Sequence, residues 1–264
     1  MKILAIGDIF GRPGRRAIRE LLPGLIRERG VDFVIANAEN AAGGRGLTAK
    51  IAEELFESPI DVMTAGNHIW EHEDIRPFFD THPVLRPHNV SEKLPGKGYG
   101  VFETKAGLPI AVVSLQGTIY MDEKGERALN PFVAADALLP GLREKSPVVF
   151  VDFHAEATSE KRALGWYLDG RVTAFLGTHT HVQTADEEVL PMGTAYISDL
   201  GMTGPHASVI GLAKEVAIRR FVEGIKKGFK VAEEGVRLEG VVVEVDERTG
   251  RALSIERVKK KLEG

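Results

Sequence analysis

The sequence predicts an α/β domain with two sheets and helices on their outer faces. Three observations carry this expectation. Short apolar runs alternate with amphipathic segments over the first hundred residues, and that order implies parallel strands joined by right-handed crossovers. Polar residues of metal-binding type recur where the apolar runs stop. The C-terminal stretch changes to a two-residue period broken by a turn, the pattern of a β-hairpin.

Taken in order, residues 2–7 form a buried-strand run. Residues 13–29 place Ala17, Ile18, Leu21, Leu22, Leu25 and Ile26 on one helical stripe. Gly30 follows as a C-terminal cap. The second strand is 33–36 and the third 60–65, with a helix capped by Thr48 between them. Later strands are expected at 98–104, 110–115, 148–153, 173–176 and 195–198. Helices are expected at 131–142, 159–168 and 214–227. Residues 236–246 and 252–258 flank the turn Glu247-Arg248-Thr249-Gly250. With no internal repeat and no linker, residues 1–264 read as one domain.

A net charge of -4 gives no electrostatic case for tight binding of duplex nucleic acid, which leaves a basic footprint. It leaves room for a small nucleotide. The absence of cysteine removes disulfides and thiolate metal sites, so a transition metal must be held by His, Asp, Glu and Asn. No apolar run approaches the ~18 residues of a membrane span. The N-terminus reads directly as a strand with no signal-peptide pattern, and a cytoplasmic location is expected.

The chemistry-bearing residues sit at strand ends. Asp8 follows the first strand, Glu39 and Asn40 the second, Asn67 and His68 the third. His154 follows the run 148–153, and His179 and His181 follow 173–176. In parallel α/β sheets, sites form outside the carboxyl ends of the strands, so all five loops can face one place. Each residue alone has an ordinary role. An aspartate after a first strand caps helices, an asparagine makes turns, and a single histidine is often just hydrogen-bonded. The His-x-His pair is the stronger signal, because alternate residues of an extended segment share a side. Gly43-Gly44-Arg45-Gly46 reads equally as a tight turn or as a loop that approaches a phosphate through Arg45. The stretch 199–205 reads as a loop with a structural or rim role, and Lys145 and Lys259 to Lys261 as solvated surface.

Gly7-Asp8, Gly66-Asn67-His68 and Gly177-Thr178-His179-Thr180-His181 resemble the calcineurin-like metallophosphoesterases. Ala38-Glu39-Asn40-Ala41-Ala42-Gly43-Gly44 and Asp152-Phe153-His154-Ala155-Glu156 resemble the YmdB-like branch of that superfamily, and the resemblance runs over nearly the whole chain. It implies a two-sheet sandwich flanked by helices, an α/β/β/α arrangement, with two metals at the sheet ends. It implies Asp8, Asn40 and His181 on one metal, Asn67, His154 and His179 on the other, and Glu39 bridging. His68 would be the general acid. Asp8-Ile9-Phe10 lacks the histidine usual two residues after the aspartate, and Asn40 takes its place. Ile69 stands where an acid often supports the preceding histidine, with Glu71 as a candidate substitute.

Mixed imidazole, carboxylate and carboxamide ligands suit iron, with manganese or zinc as alternatives. The implied activity is hydrolysis of a phosphodiester, with 2′,3′-cyclic nucleotides suggested by the resemblance alone. A phosphomonoesterase or nuclease with the same site, and a regulatory metal-binding protein with little turnover, are the competing readings. The partner expected is a small phosphodiester or nucleotide, with no membrane; self-association as a homo-oligomer is left open.

Overall fold

The computed structural model describes residues 1–121, 128–224 and 228–263. Strand β1 (Lys2–Ile6) and the short β2 (Asp8–Ile9) lead into helix α1 (Gly11–Arg29). The helix starts two residues before the expected Pro13, which stands in the first turn, where its missing N–H costs nothing. It ends as its sequence demands: Gly30 has φ 64 and donates its N–H to the Ile26 carbonyl. Then follow β3 (Phe33–Asn37), α2 (Ala49–Phe56) and β4 (Val62–Thr64). The Thr48 side chain accepts a hydrogen bond from the Ile51 N–H and so caps α2.

A 3₁₀ segment (Glu73–Asp80) precedes β5 (Val84–Leu85), β6 (Tyr99–Glu103) and β7 (Pro109–Gln116). Helix α3 (Pro131–Arg143), β8 (Val149–His154), α4 (Thr158–Tyr167) and β9 (Ala174–Thr178) complete a second alternating run. The short strands β10 (Glu188–Val189), β11 (Ala195–Ile197) and β12 (Met202–Pro205) lead to α5 (Lys214–Glu223). The hairpin β13 (Val236–Asp246) and β14 (Arg251–Lys261) closes the order.

Among the described residues the strands make two sheets. One runs β2-β12-β13-β1-β3-β4-β5 with β14 beside β13; the other runs β10-β11-β9-β8-β7-β6. Strands β1, β3, β4 and β5 are parallel to one another, as are β7, β8, β9 and β11. The two-residue period of a strand then divides the apolar residues. Leu4, Ile6, Val34 and Ala36 pack under α1 and α2 with Ile18, Leu22 and Leu55. Ile3, Ala5, Phe33 and Ile35 face the second sheet and meet Val112, Phe150 and Leu176. The other face of that sheet, with Val113, Val151 and Phe153, packs against Leu139 and Leu164 of α3 and α4. These three cores give the layer order α/β/β/α. Each fully buried large side chain, such as Phe33 or Phe150, contributes roughly 1.5–3 kcal/mol.

Three expectations are corrected. Helix α5 ends at Glu223, where Gly224 turns left-handed at φ 67; residues 225–227, included in the expected helix, lie outside the described residues. Strand β14 continues to Lys261, past the expected end at 258, and the backbones of Lys259 to Lys261 pair with Glu239, Leu238 and Arg237 while their side chains stay exposed, as expected. Within 199–205, Met202 and Thr203 pair with Asp8 and Ile9, so half of the expected loop is strand. A strand that short, ending in Gly and Pro, has no readable period. No helix among the described residues is long and apolar enough to cross a membrane.

Candidate metal centre

The carboxyl ends of β1, β3 and β4 in one sheet and of β8 and β9 in the other meet at one edge of the sandwich. Strand β3 stops at Asn37, whose side-chain oxygen accepts from the Glu39 N–H at 3.2 Å. This local turn swings Glu39 and Asn40 inward, where both are buried. The Asn40 carbonyl accepts from the N–H groups of Gly11 and Gly44, tying this loop to the start of α1.

Glu39 is the centre of the cluster. Its Oε1 lies 3.1 Å from His154 Nε2 and 3.3 Å from His68 Nδ1, and the His68 N–H donates to Oε2 at 3.3 Å. His179 Nδ1 is 2.9 Å from His154 Nε2. Candidate ligand atoms of Glu39, His154 and His179 all lie within 4.8 Å of one another. On the other side, Asn40 Nδ2 lies 3.1 Å from Glu39 Oε1, 3.3 Å from Asp8 Oδ1 and 3.2 Å from His181 Nε2. His181 Nε2 is 3.6 Å from Asp8 Oδ1. The amide donor thus serves two carboxylates at the spot where a cation would serve them.

The backbone of the histidine loop differs from the extended segment expected. Strand β9 stops at Thr178, and His179 and His181 have φ of 100 and 65. The two rings therefore diverge, one to the His154 side of Glu39 and one to the Asp8 side. Such left-handed conformations in non-glycine residues cost energy and persist only where surroundings hold them. Asp199 does the holding: its Oδ2 accepts from the Thr180 N–H at 3.0 Å, from the Thr180 hydroxyl at 2.8 Å and from Lys161 Nζ at 2.8 Å. The Lys161–Asp199 pair is itself buried, which agrees with the structural role expected for this segment. The His179 N–H also donates to Asp8 Oδ2 at 3.2 Å.

Charges in the cluster are strongly coupled. Burial pushes Asp8 and Glu39 up, but His181 beside Asp8, and His154 and His68 beside Glu39, outweigh it and hold both carboxyls below their ordinary values. Burial depresses His154, and Glu39 more than reverses this, raising it to about 9. His179 falls to about 3, through burial and the neighbouring His154 charge. His181 is raised: burial opposes, and Asp8 prevails.

Several features fit a cation pair. Two imidazole nitrogens face each other across 2.9 Å beside a carboxylate oxygen. Asn67 Oδ1 is buried with no hydrogen-bond partner among the described residues, and Asn67 follows Gly66, which abuts the His154 ring. Each histidine engages an oxygen with its other nitrogen: His154 Nδ1 with the Thr178 hydroxyl at 3.0 Å, His181 Nδ1 with the Ile210 carbonyl at 3.1 Å, His179 Nε2 with Glu156 at 3.3 Å. Metal-binding histidines are characteristically oriented in this way.

Glu71 does not support His68. It pairs with Arg45, whose Nε donates to it at 2.8 Å. Asn40 Oδ1, 3.2 Å from His68 Nδ1, and Glu39 occupy that role. Arg45 is thereby committed to a carboxylate, and Gly43, Gly44 and Gly46 all adopt positive φ, as a tight turn requires. Sequence reasoning assigned no role to Asp152, Thr178, Glu156 or the Ile210 carbonyl. Asp152 carried a usable signal: two residues before His154 on a strand, it must share that residue's face. It is buried and accepts from Asn37 Nδ2 at 3.0 Å, from the Thr64 hydroxyl, and from the Thr178 hydroxyl at 2.7 Å. Burial lifts its carboxyl to about 6 against the pull of those hydroxyls.

Known proteins match both sequence and backbone. The sequence profile of the YmdB-like protein family matches residues 4–258. A Bacillus subtilis (strain 168) protein named 2′,3′-cyclic-nucleotide 2′-phosphodiesterase is 46% identical over 259 residues, covering 98% of this chain and 96% of the relative. The crystal structure of a hypothetical protein from Thermus thermophilus superposes with a TM-score of 0.91 at 41% identity, covering 100% of each chain. That of a phosphatase from Mycoplasma pneumoniae also gives 0.91, at 37% identity, covering 99% of this chain and 93% of the other. A match reaching from the first strand to the last, in sequence and in backbone, leaves one assignment: the chain belongs to the YmdB-like family, within the calcineurin-like metallophosphoesterases.

Proposed function

We propose that this protein is a dinuclear metal-dependent phosphodiesterase whose substrate class is the 2′,3′-cyclic nucleotides. The observation that carries the reading is the convergence of His154, His179, Asn40 and His68 on the buried Glu39, with Asp8 and His181 beside it. The name of the Bacillus subtilis relative supports the substrate class.

In this reading Asp8, Asn40 and His181 would hold one metal, Asn67, His154 and His179 would hold the other, and Glu39 would serve both. An asparagine amide turned over exchanges Nδ2 for Oδ1 at nearly the same place, which would let Asn40 act as a ligand and would turn its NH₂ to His68 Nδ1, leaving the ring proton on Nε2. Iron suits this donor set best, with manganese and zinc as alternatives. When bound, such a pair supplies an activated water and a positive clamp for the phosphate. The chain's own residues do the rest. Neutral Asn40 and Asn67 leave positive charge uncancelled for an anionic substrate. His68, held at Nδ1 by the turned Asn40 amide, would give its Nε2 proton to the departing ribose oxygen as the phosphorus–oxygen ester bond breaks. The protein works as one cytoplasmic domain.

The test is hydrolysis of 2′,3′-cyclic AMP, bis-p-nitrophenyl phosphate and p-nitrophenyl phosphate by protein loaded with iron, manganese or zinc, against chelated protein. The diesters turn over, and chelation abolishes turnover. Faster cleavage of the monoester would make it a phosphomonoesterase, and no cleavage with any metal would end the enzyme reading.

A further inference from the structure

Asp152 is the meeting point of the strand ends that carry the centre. Asn37 is the last residue of β3, Thr64 of β4 and Thr178 of β9, and all three donate to its carboxylate. From there two short paths run to the ligand residues. Asn37, anchored to Asp152 by its Nδ2, receives the Glu39 N–H on its Oδ1. Thr178, anchored by its hydroxyl, sits 3.0 Å from His154 Nδ1.

We propose that Asp152 is a positioning residue that sets the tautomer of His154 through Thr178, readying His154 Nε2 to hold a metal. A threonine hydroxyl has one hydrogen. Because that hydrogen is given to the Asp152 carboxylate at 2.7 Å, Thr178 Oγ1 can only accept from His154. The proton of the neutral ring therefore sits on Nδ1. The lone pair sits on Nε2, the nitrogen that faces Glu39 Oε1 and His179 Nδ1. The inference rests on the dinuclear reading for the use of Nε2, whereas the Asp152–Thr178–His154 chain stands on hydrogen bonding alone.

Asp152→Asn makes a sharp test, since it keeps the shape and changes the donors. Asn37 Nδ2 must donate, because Asn37 Oδ1 is occupied by the Glu39 N–H. The new amide oxygen is thus drawn to the Asn37 and Thr64 side, and its NH₂ faces Thr178. Thr178 then accepts from that NH₂ and turns its own hydrogen to His154 Nδ1, which drives the proton to Nε2 and blocks the metal. Two measurements read this out: zinc affinity by competition with a chromophoric chelator, and the protonated ring nitrogen by ¹⁵N NMR of metal-free, histidine-labelled protein, recorded above the value of about 9 at which His154 becomes neutral.

Expected are an affinity loss of about 10–100-fold and movement of the His154 proton from Nδ1 to Nε2 in Asp152→Asn. Thr178→Val weakens zinc to a similar degree, and Thr178→Ser, which keeps the hydroxyl, stays near wild type. Unchanged affinity with the proton still on Nδ1 overturns the proposal, as does a serine variant as weak as valine. Wild-type protein that takes up no zinc would instead defeat the metal reading, while the NMR arm still decides the hydrogen-bond chain.

Discussion

His68 meets the cluster through one nitrogen. Its Nδ1 lies 3.2 Å from Asn40 Oδ1 and 3.3 Å from Glu39 Oε1, so the ring is held in place. Among the described residues its Nε2 has no hydrogen-bond partner, which leaves that nitrogen for a substrate oxygen. The split between ligands and acid yields a prediction. In His68→Ala both metals stay bound, because none of the proposed ligands is removed. Proton donation matters most when the leaving oxygen is strongly basic, as ribose oxygen is and p-nitrophenolate is not. Hydrolysis of 2′,3′-cyclic AMP should slow by about 10²–10⁴-fold, and that of bis-p-nitrophenyl phosphate far less. Equal slowing of both would assign His68 to phosphate positioning, and metal loss in the variant would make it a ligand.

At the scale of elements, the centre exists because the loops after β4, β8 and β9 approach closely. Gly66 is the tightest of these approaches: a Cβ there would stand 2.1 Å from His154 Cδ2. The His154 ring is fully buried and pinned by Thr178, so it has nowhere to retreat. Gly66→Ala should therefore destabilise the fold by about 1–3 kcal/mol, the usual cost of overpacking. It should also weaken zinc binding, since the displaced side chain is a proposed ligand. Urea unfolding of the metal-free protein, followed by zinc titration, measures the two effects separately. A variant as stable as wild type would show that the β4 and β8 ends have room to part.

Across the whole molecule, metal binding, protonation and folding are linked. In the metal-free protein Glu39 raises His154 to about 9, so at neutral pH the ring carries, besides the proton on Nδ1, a second one on Nε2 that a metal must displace. His179, lowered to about 3, offers no such competition. The sign follows: apparent affinity falls as pH drops below about 9, by about tenfold per pH unit for one displaced proton, and levels off above it. Zinc titrations between about pH 6.5 and 9.5 check this, and a flat profile would remove His154 from the ligand set. Binding also supports the fold; metal at about 100 times its Kd adds about 2.7 kcal/mol.

Much of this was legible in the chain itself. The helical stripe ending at Gly30, the Thr48 cap, the parallel order of the first strands and the ligand types at five strand ends all depend on neighbours in sequence, where period and cap chemistry operate. Strands β2, β5, β10 and β12 were not legible, because a run of two residues, or one of four that ends in Gly and Pro, has no period and forms only when a partner edge is supplied. The divergence of His179 and His181 was not legible either: it needs left-handed backbone held by Asp199, which lies 18 residues beyond His181 and reaches the loop only after folding. Nor could Glu71 be assigned to Arg45, or Asp152 to the ends of three other strands, since those contacts join residues distant in sequence. By itself the sequence determined which residues could bind metal and where each strand would deliver them. The tertiary structure decided which atoms face one another, because a hydrogen bond or a ligand distance is set by the meeting of two sheets.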